Sequence, residues 1–148
     1  IIGVLMKFLL KNLDEDKYFV MTNEVGFYLK KRSNISSDIV IYDKATLQNH
    51  VLKDKYFEIP PLAVIEVDIQ ADTADFGVTE LDYYGLKTKK LLDFGVGEVI
   101  WFFSGIKQQF IARKGQDGII SDWDRNVTLL GEYQFSLANL LQKEGFKL

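Results

Sequence analysis

The segment Pro60-Pro61-Leu62-Ala63-Val64-Ile65-Glu66-Val67-Asp68-Ile69 reads as a central β-strand. Two prolines mark a sharp entry, and the run that follows is apolar and rich in β-branched residues. Its anomaly is the pair Glu66 and Asp68, because residues two apart on a strand point to the same face. Asp68 is explained by a strand end emerging into solvent. Glu66 is not, since Val64-Ile65 precede it and Val67 follows it, and a buried carboxylate is costly unless it is paired or bound to a cation.

Working outward, Asp38-Ile39-Val40-Ile41-Tyr42-Asp43 forms a second short, buried strand after the polar turn Ser33-Asn34-Ile35-Ser36-Ser37. If the two strands are neighbours, Asp38 and Glu66 converge at one end of the sheet and can hold a hard divalent cation through oxygen. Magnesium suits a few carboxylates because it retains several waters. Upstream, Ile2, Leu5, Met6, Leu9, Leu10 and Leu13 recur at helical spacing up to the acidic turn Asp14-Glu15-Asp16, and Tyr18 to Lys31 reads as a strand or hairpin. A loop or short helix runs on to Tyr56. Downstream, Gly77 to Phe94 is helical with Gly95 as its stop, and Val99 to Phe103 is a strand. Turns at Ser104-Gly105 and Lys114 to Gly118 then set up an antiparallel C-terminal meander through Gln108 to Ala112, closed by a helix over Leu137 to Leu141. The fold class is α/β. No repeat or linker divides residues 1–148, which read as one domain. The apolar run starts at Ile1 inside a helical pattern, which implies that the native N-terminus lies upstream.

The 148 residues are 47% hydrophobic and 26% charged, the balance of a globular core. With 18 basic and 21 acidic side chains the net charge is -3, so any nucleic-acid contact must come from a local patch rather than a cationic coat. The absence of cysteine excludes thiolate zinc, disulfides, cysteine nucleophiles and iron-sulfur clusters, and makes a reducing cytoplasm the default setting. The one histidine, His50 in the polar stretch Gln48-Asn49-His50, excludes motifs that need two imidazoles and reads as a solvated residue. The Ile1–Leu10 run is too short to span a bilayer, which needs about 20 residues. Gly95-Val96-Gly97 is a turn rather than a dinucleotide fingerprint.

From Glu58 to Asp82 the chain carries Glu58, Glu66, Asp68, Asp72, Asp75, Glu80 and Asp82 with no Lys or Arg, and Lys87, Lys89 and Lys90 follow at once. An acidic site next to a basic patch is what phosphodiester cleavage requires: carboxylates for a metal, and a lysine for the attacking water and the charged transition state. The plainer alternative is that the lysines solvate a helix and the carboxylates form internal ion pairs.

The order Ser36-Ser37-Asp38-Ile39-Val40, then Pro60 to Val67, then Lys87 through Gly95-Val96-Gly97-Glu98-Val99-Ile100-Trp101 resembles the Uma family, endonuclease-like proteins of the PD-(D/E)XK restriction-endonuclease-like superfamily. The resemblance extends to the closing Leu130-Gly131-Glu132-Tyr133-Gln134-Phe135 and the helix after it. It implies a restriction-endonuclease-like core, a mixed sheet flanked by helices with one acidic site. By resemblance Asp38 is the first metal-binding aspartate, Glu66 the second acidic position, and Asp68 a further candidate ligand. Lys87 matches a helix-borne lysine, with Lys90 as its rival, and Glu24 matches an acid near the site. The superfamily commonly carries lysine where this chain has Asp68, so standard cleavage requires the helix lysine. Ser37 stands for a usual proline and Phe103 for a frequent aspartate.

The implied activity is Mg2+-dependent hydrolysis of DNA, double-stranded, with Mn2+ able to substitute and two copies pairing as a homodimer. A protein that has kept the scaffold as a catalytically inactive nucleic-acid-binding or interaction module is the alternative, since fold alone never establishes activity.

Overall fold

The computed structural model describes residues 1–30, 33–49, 56–68 and 78–148, the side chains of 23–30, 33–36, 56–57 and 78–82 excepted. His50, Ile69, Asp72 and Asp75 lie outside the described residues, as do the side chains of Glu24, Glu80 and Asp82.

Helix α1 (Ile2–Asn12) leads into β1 (Tyr18–Lys30), β2 (Ser33–Asp43), α2 (Lys44–Gln48), β3 (Tyr56–Phe57) and β4 (Ala63–Asp68). Helix α3 (Val78–Phe94) then precedes β5 (Glu98–Phe103), β6 (Gln108–Arg113), β7 (Ile119–Asp122), β8 (Val127–Leu129), β9 (Tyr133–Phe135) and α4 (Leu137–Lys143). Seven strands form one sheet in the order β3-β1-β2-β4-β5-β6-β7, and β8 pairs with β9 separately. The large sheet is mixed: β1/β3 and β4/β5 are parallel and its other neighbours antiparallel. The expected meander is β5-β6-β7. A parallel β4/β5 pair requires a crossover, and α3 lies on it.

The sheet buries both faces. On one, Leu5 and Leu9 of α1 and Leu137 and Leu141 of α4 pack with Ile39, Ile41, Ile65, Ile100 and Phe102. On the other, Tyr84 and Leu91 of α3 pack with Val40, Tyr42, Val64, Val99, Trp101 and Phe103. Strands with helices on both sides show continuous apolar runs rather than alternation, and β4 and β5 have that pattern.

Two sequence expectations change. Ser33 to Ser37 is not a turn: β2 begins at Ser33 and pairs with β1 through Gly26↔Ser36, Phe27↔Ile35 and Tyr28↔Asn34. Cross-strand pairing outweighs the turn preference of Ser and Asn. Asp38 therefore sits inside a long strand rather than opening a short one. Tyr18 to Lys30 is likewise one strand, with its register shifted between Thr22 and Val25, beside Glu24. The Gly95 stop stands, with φ +118° and the Gly95 and Val96 N–H groups donating to Leu92 O and Leu91 O. No described helix is long and apolar enough to cross a membrane.

Candidate active site

The antiparallel register Ile41↔Ala63, Val40↔Val64, Ile39↔Ile65, carried on by one residue, sets Asp38 opposite Glu66. Directly opposed residues on one face have Cβ atoms about 4.5–5.5 Å apart. Alternation assigns both to the α3 face, with Val40 and Val64. The Asp38 side chain is anchored as well, because its Oδ2 accepts from the Val67 N–H at 2.8 Å. Its carbonyl accepts from Thr22 Oγ1 at 2.8 Å. The pair sits at the carboxyl end of β4, beside the carboxyl end of the parallel strand β5, where open α/β sheets bind ligands.

Lys87, from α3, brings its ammonium to 3.1 Å from Oε1 of Glu66, with the side chains only 13% and 5% exposed. Among the described residues Glu66 Oε1 and Ser37 Oγ are buried with no hydrogen bond of good geometry, and the groups that approach the Glu66 carboxylate are the Lys87 ammonium and the Ser37 hydroxyl. Burial pushes the Glu66 carboxyl up to about 7, against the Lys87 ammonium and the Ser37 hydroxyl, which lower it; the Asp38 carboxyl raises it further.

Lys87 is also held from the side. Its Nζ lies 5.6 Å from the centre of the Trp101 ring, and Trp101 is the register partner of Glu66 on β5. The indole Nε1–H donates to Thr88 Oγ1 at 2.8 Å, and that hydroxyl donates to Tyr84 O at 2.7 Å. Tyr84 meets Trp101 and Phe103 edge-on, and the Trp101 and Phe103 rings are stacked.

The structure thus brings together Asp38, Glu66 and Lys87. Asp68 shares their strand face and is half-buried, its carbonyl taking hydrogen bonds from Ser104 N and Oγ. Among the described residues it does not complete a group of three acids able to hold a metal. Lys90 is exposed, and the ion pair to Glu66 belongs to Lys87. Of the adjacent Tyr83 and Tyr84 on α3, which in sequence suit either stacking on bases or covering the sheet, Tyr84 covers the sheet while Tyr83 is exposed. In the sequence Trp101 falls in the apolar run Val99 to Phe103, which reads as core, and nothing singles out Thr88. Their link to Lys87 joins β5 to α3, and no local pattern signals it.

The chain matches no family model and no curated protein. Among solved structures it resembles "a putative nuclease belonging to DUF820" from Anabaena variabilis, with TM-score 0.66, 16% identity, 95% of this chain covered and 75% of the other. The mixed sheet flanked by helices is therefore a fold shared with a nuclease-like protein.

Proposed function

We propose that the chain is a Mg2+-dependent endodeoxyribonuclease of the Uma type, with Asp38, Glu66 and Lys87 as its working residues. The observation that carries this reading is the charge balance of the pocket. Glu66 is buried against the Lys87 ammonium at 3.1 Å and lies near a second acidic group from the adjacent strand, Asp38, close enough for the two carboxyls to act on each other.

The donor set fits a hard divalent ion. Its oxygens are carboxylate, and magnesium takes one or two such ligands and keeps water for the rest. Asp38 and Glu66 would hold it, with Asp68 at the strand end as an outer contributor, and Mn2+ would serve in its place. Bound there, the cation would supply Lewis acidity to the phosphate and acidify a water. Lys87 orients the attacking water and offsets the charge that builds on the phosphate. The substrate in this reading is double-stranded DNA, cut by paired copies in the cytoplasm.

The test is cleavage of plasmid DNA against Mg2+ or Mn2+ concentration. Cleavage by the wild type, lost in Asp38→Ala and in Glu66→Ala with circular dichroism unchanged, is the expected result; a double variant that still cuts overturns the assignment. One feature favours a second reading, that of a binding module without catalysis: Asp68 stands where the superfamily commonly has its strand lysine. Calorimetry separates the two, since the module predicts no Mn2+ binding together with salt-sensitive DNA binding.

A further inference from the structure

We propose that Trp101 is the positioning residue for Lys87, and that Thr88 sets the angle of its indole. The inference rests on the nuclease reading for its consequence, but its geometry stands apart from it. Lysine carries four rotatable bonds on its stem, so an ammonium that must stay on one side of a buried carboxylate needs a second contact. The ring of Trp101 supplies it. The ammonium lies 5.6 Å from the ring centre, within the range where the negative face of an indole attracts a cation. Because Trp101 is the register partner of Glu66, ring and carboxylate flank Lys87 from neighbouring strands.

The ring itself is not free to tilt. Its Nε1–H is committed to Thr88 Oγ1 at 2.8 Å, and Thr88 is the residue next to Lys87 on α3. The Thr88 hydroxyl in turn donates a hydrogen bond to Tyr84 O at 2.7 Å, one turn earlier on the same helix. The α3 turn that carries Lys87 is therefore pinned to β5 by the same side chain whose face holds the ammonium. Thr88 and Trp101 are both buried, at 4% and 3% exposure, so water does not compete for these contacts.

The experiment reads the Lys87 ε-methylene resonance by NMR, assigned through its loss in Lys87→Arg, alongside kcat and KM for Mg2+-dependent DNA cleavage. In the wild type, the ring current of Trp101 displaces that resonance from the value of exposed lysines. Thr88→Val should lose much of the displacement and lower kcat by roughly 10- to 100-fold at nearly constant KM, the scale expected from a displaced catalytic group. Thr88→Ser, which restores the hydroxyl, should restore both. Trp101→Phe should keep part of the displacement and Trp101→Leu none. Should Trp101→Leu fail to fold, the Thr88 pair decides alone. A Thr88→Val protein indistinguishable from wild type in resonance overturns the proposal. A wild type that cuts no DNA overturns the nuclease reading instead, and the NMR comparison still settles whether Trp101 and Thr88 place the ammonium.

Discussion

The ammonium of Lys87 lies 3.1 Å from the carboxylate of Glu66, joining the crossover helix α3 to the central strand β4. Both side chains are largely withdrawn from water, so the pair acts where a charge interacts more strongly than at the surface. Glu66 cannot be treated as an ordinary surface acid, and the first three predictions follow from that.

Replacing Lys87 by Met removes the main influence that lowers the Glu66 pKa, while burial and Asp38 continue to raise it. The Glu66 carboxyl should then titrate above its present value of about 7, measured by NMR of labelled glutamate side chains. DNA cleavage at neutral pH should fall by roughly 10²- to 10³-fold, the range for losing one preorganised charge-stabilising group. Lys90→Met should leave both readouts near wild type, because the exposed Lys90 does not make the Glu66 pair.

Stability should fall as pH rises through the weakly acidic range. The Glu66 carboxyl titrates near 4.5 when unfolded and near 7 when folded, so between those values the native chain binds more protons than the unfolded one. The contribution is complete below 4.5, declines from there and is gone above about 7, a total of about 3 kcal/mol. Urea midpoints at pH 4.5 and pH 8 measure it. Glu66→Gln, which cannot ionise, should remove this component of the slope; an unchanged slope would show that another group is responsible.

What the sequence disclosed and what it hid divide along range. The apolar run of β4, the periodicity of α1 and α3, and the Gly95 stop depend on near neighbours, and all are readable as local pattern. The acids of the site were legible for the same reason, since Glu66 contradicts the residues on either side of it. Ser33 to Ser37 has the local composition of a turn, yet its strand state comes from pairing with β1, a contact set by register rather than by Ser and Asn. The preference for Lys87 over its rival Lys90 rests on the resemblance alone, since local pattern does not separate them. Three residues separate them, less than one helical turn, and only the packing of α3 on β5 decides which one is turned inward. The Trp101–Thr88 bond spans 13 residues and two elements, and neither residue type announces it.

Asp38 combines two roles that substitution can separate. Its Oδ2 accepts from the Val67 N–H, which ties β2 to β4, and its charge acts on Glu66. Asp38→Asn retains an oxygen for that N–H and removes the charge, so it should cost less stability than Asp38→Ala while metal-dependent cleavage is lost. Asp38→Ala also orphans the half-buried N–H, at a cost of about 1 kcal/mol or more. In both variants the Glu66 pKa should fall, because the Asp38 contribution raises it. Denaturant melts, calorimetric titration with Mn2+ and carboxyl NMR separate the three effects.

Two glycines, Gly97 at the base of β5 and Gly85 on α3, should respond to alanine with opposite signs. A Cβ on Gly97 would fall 2.8 Å from the backbone oxygen of Leu62, too close for any real contact. That oxygen cannot simply withdraw, because it accepts the N–H groups of both Gly97 and Glu98 at 3.1 Å, and these bonds align the start of β5 with the entry to β4. Gly97→Ala must therefore shift backbone at the base of the parallel pair, with an expected loss of about 1–3 kcal/mol, the range for overpacking. Gly85 lies within α3, two residues before Lys87, and a Cβ there meets nothing within 4 Å. Alanine fits that helical position and reduces the freedom of the unfolded chain, so Gly85→Ala should stabilise the protein by about 0.5–1 kcal/mol. It also stiffens the turn that carries Lys87 without touching the pair itself, and should leave cleavage intact. Thermal melts of both variants test the sign, and a stabilising Gly97→Ala would mean that the approach of Leu62 to the β5 entry is looser than these hydrogen bonds require.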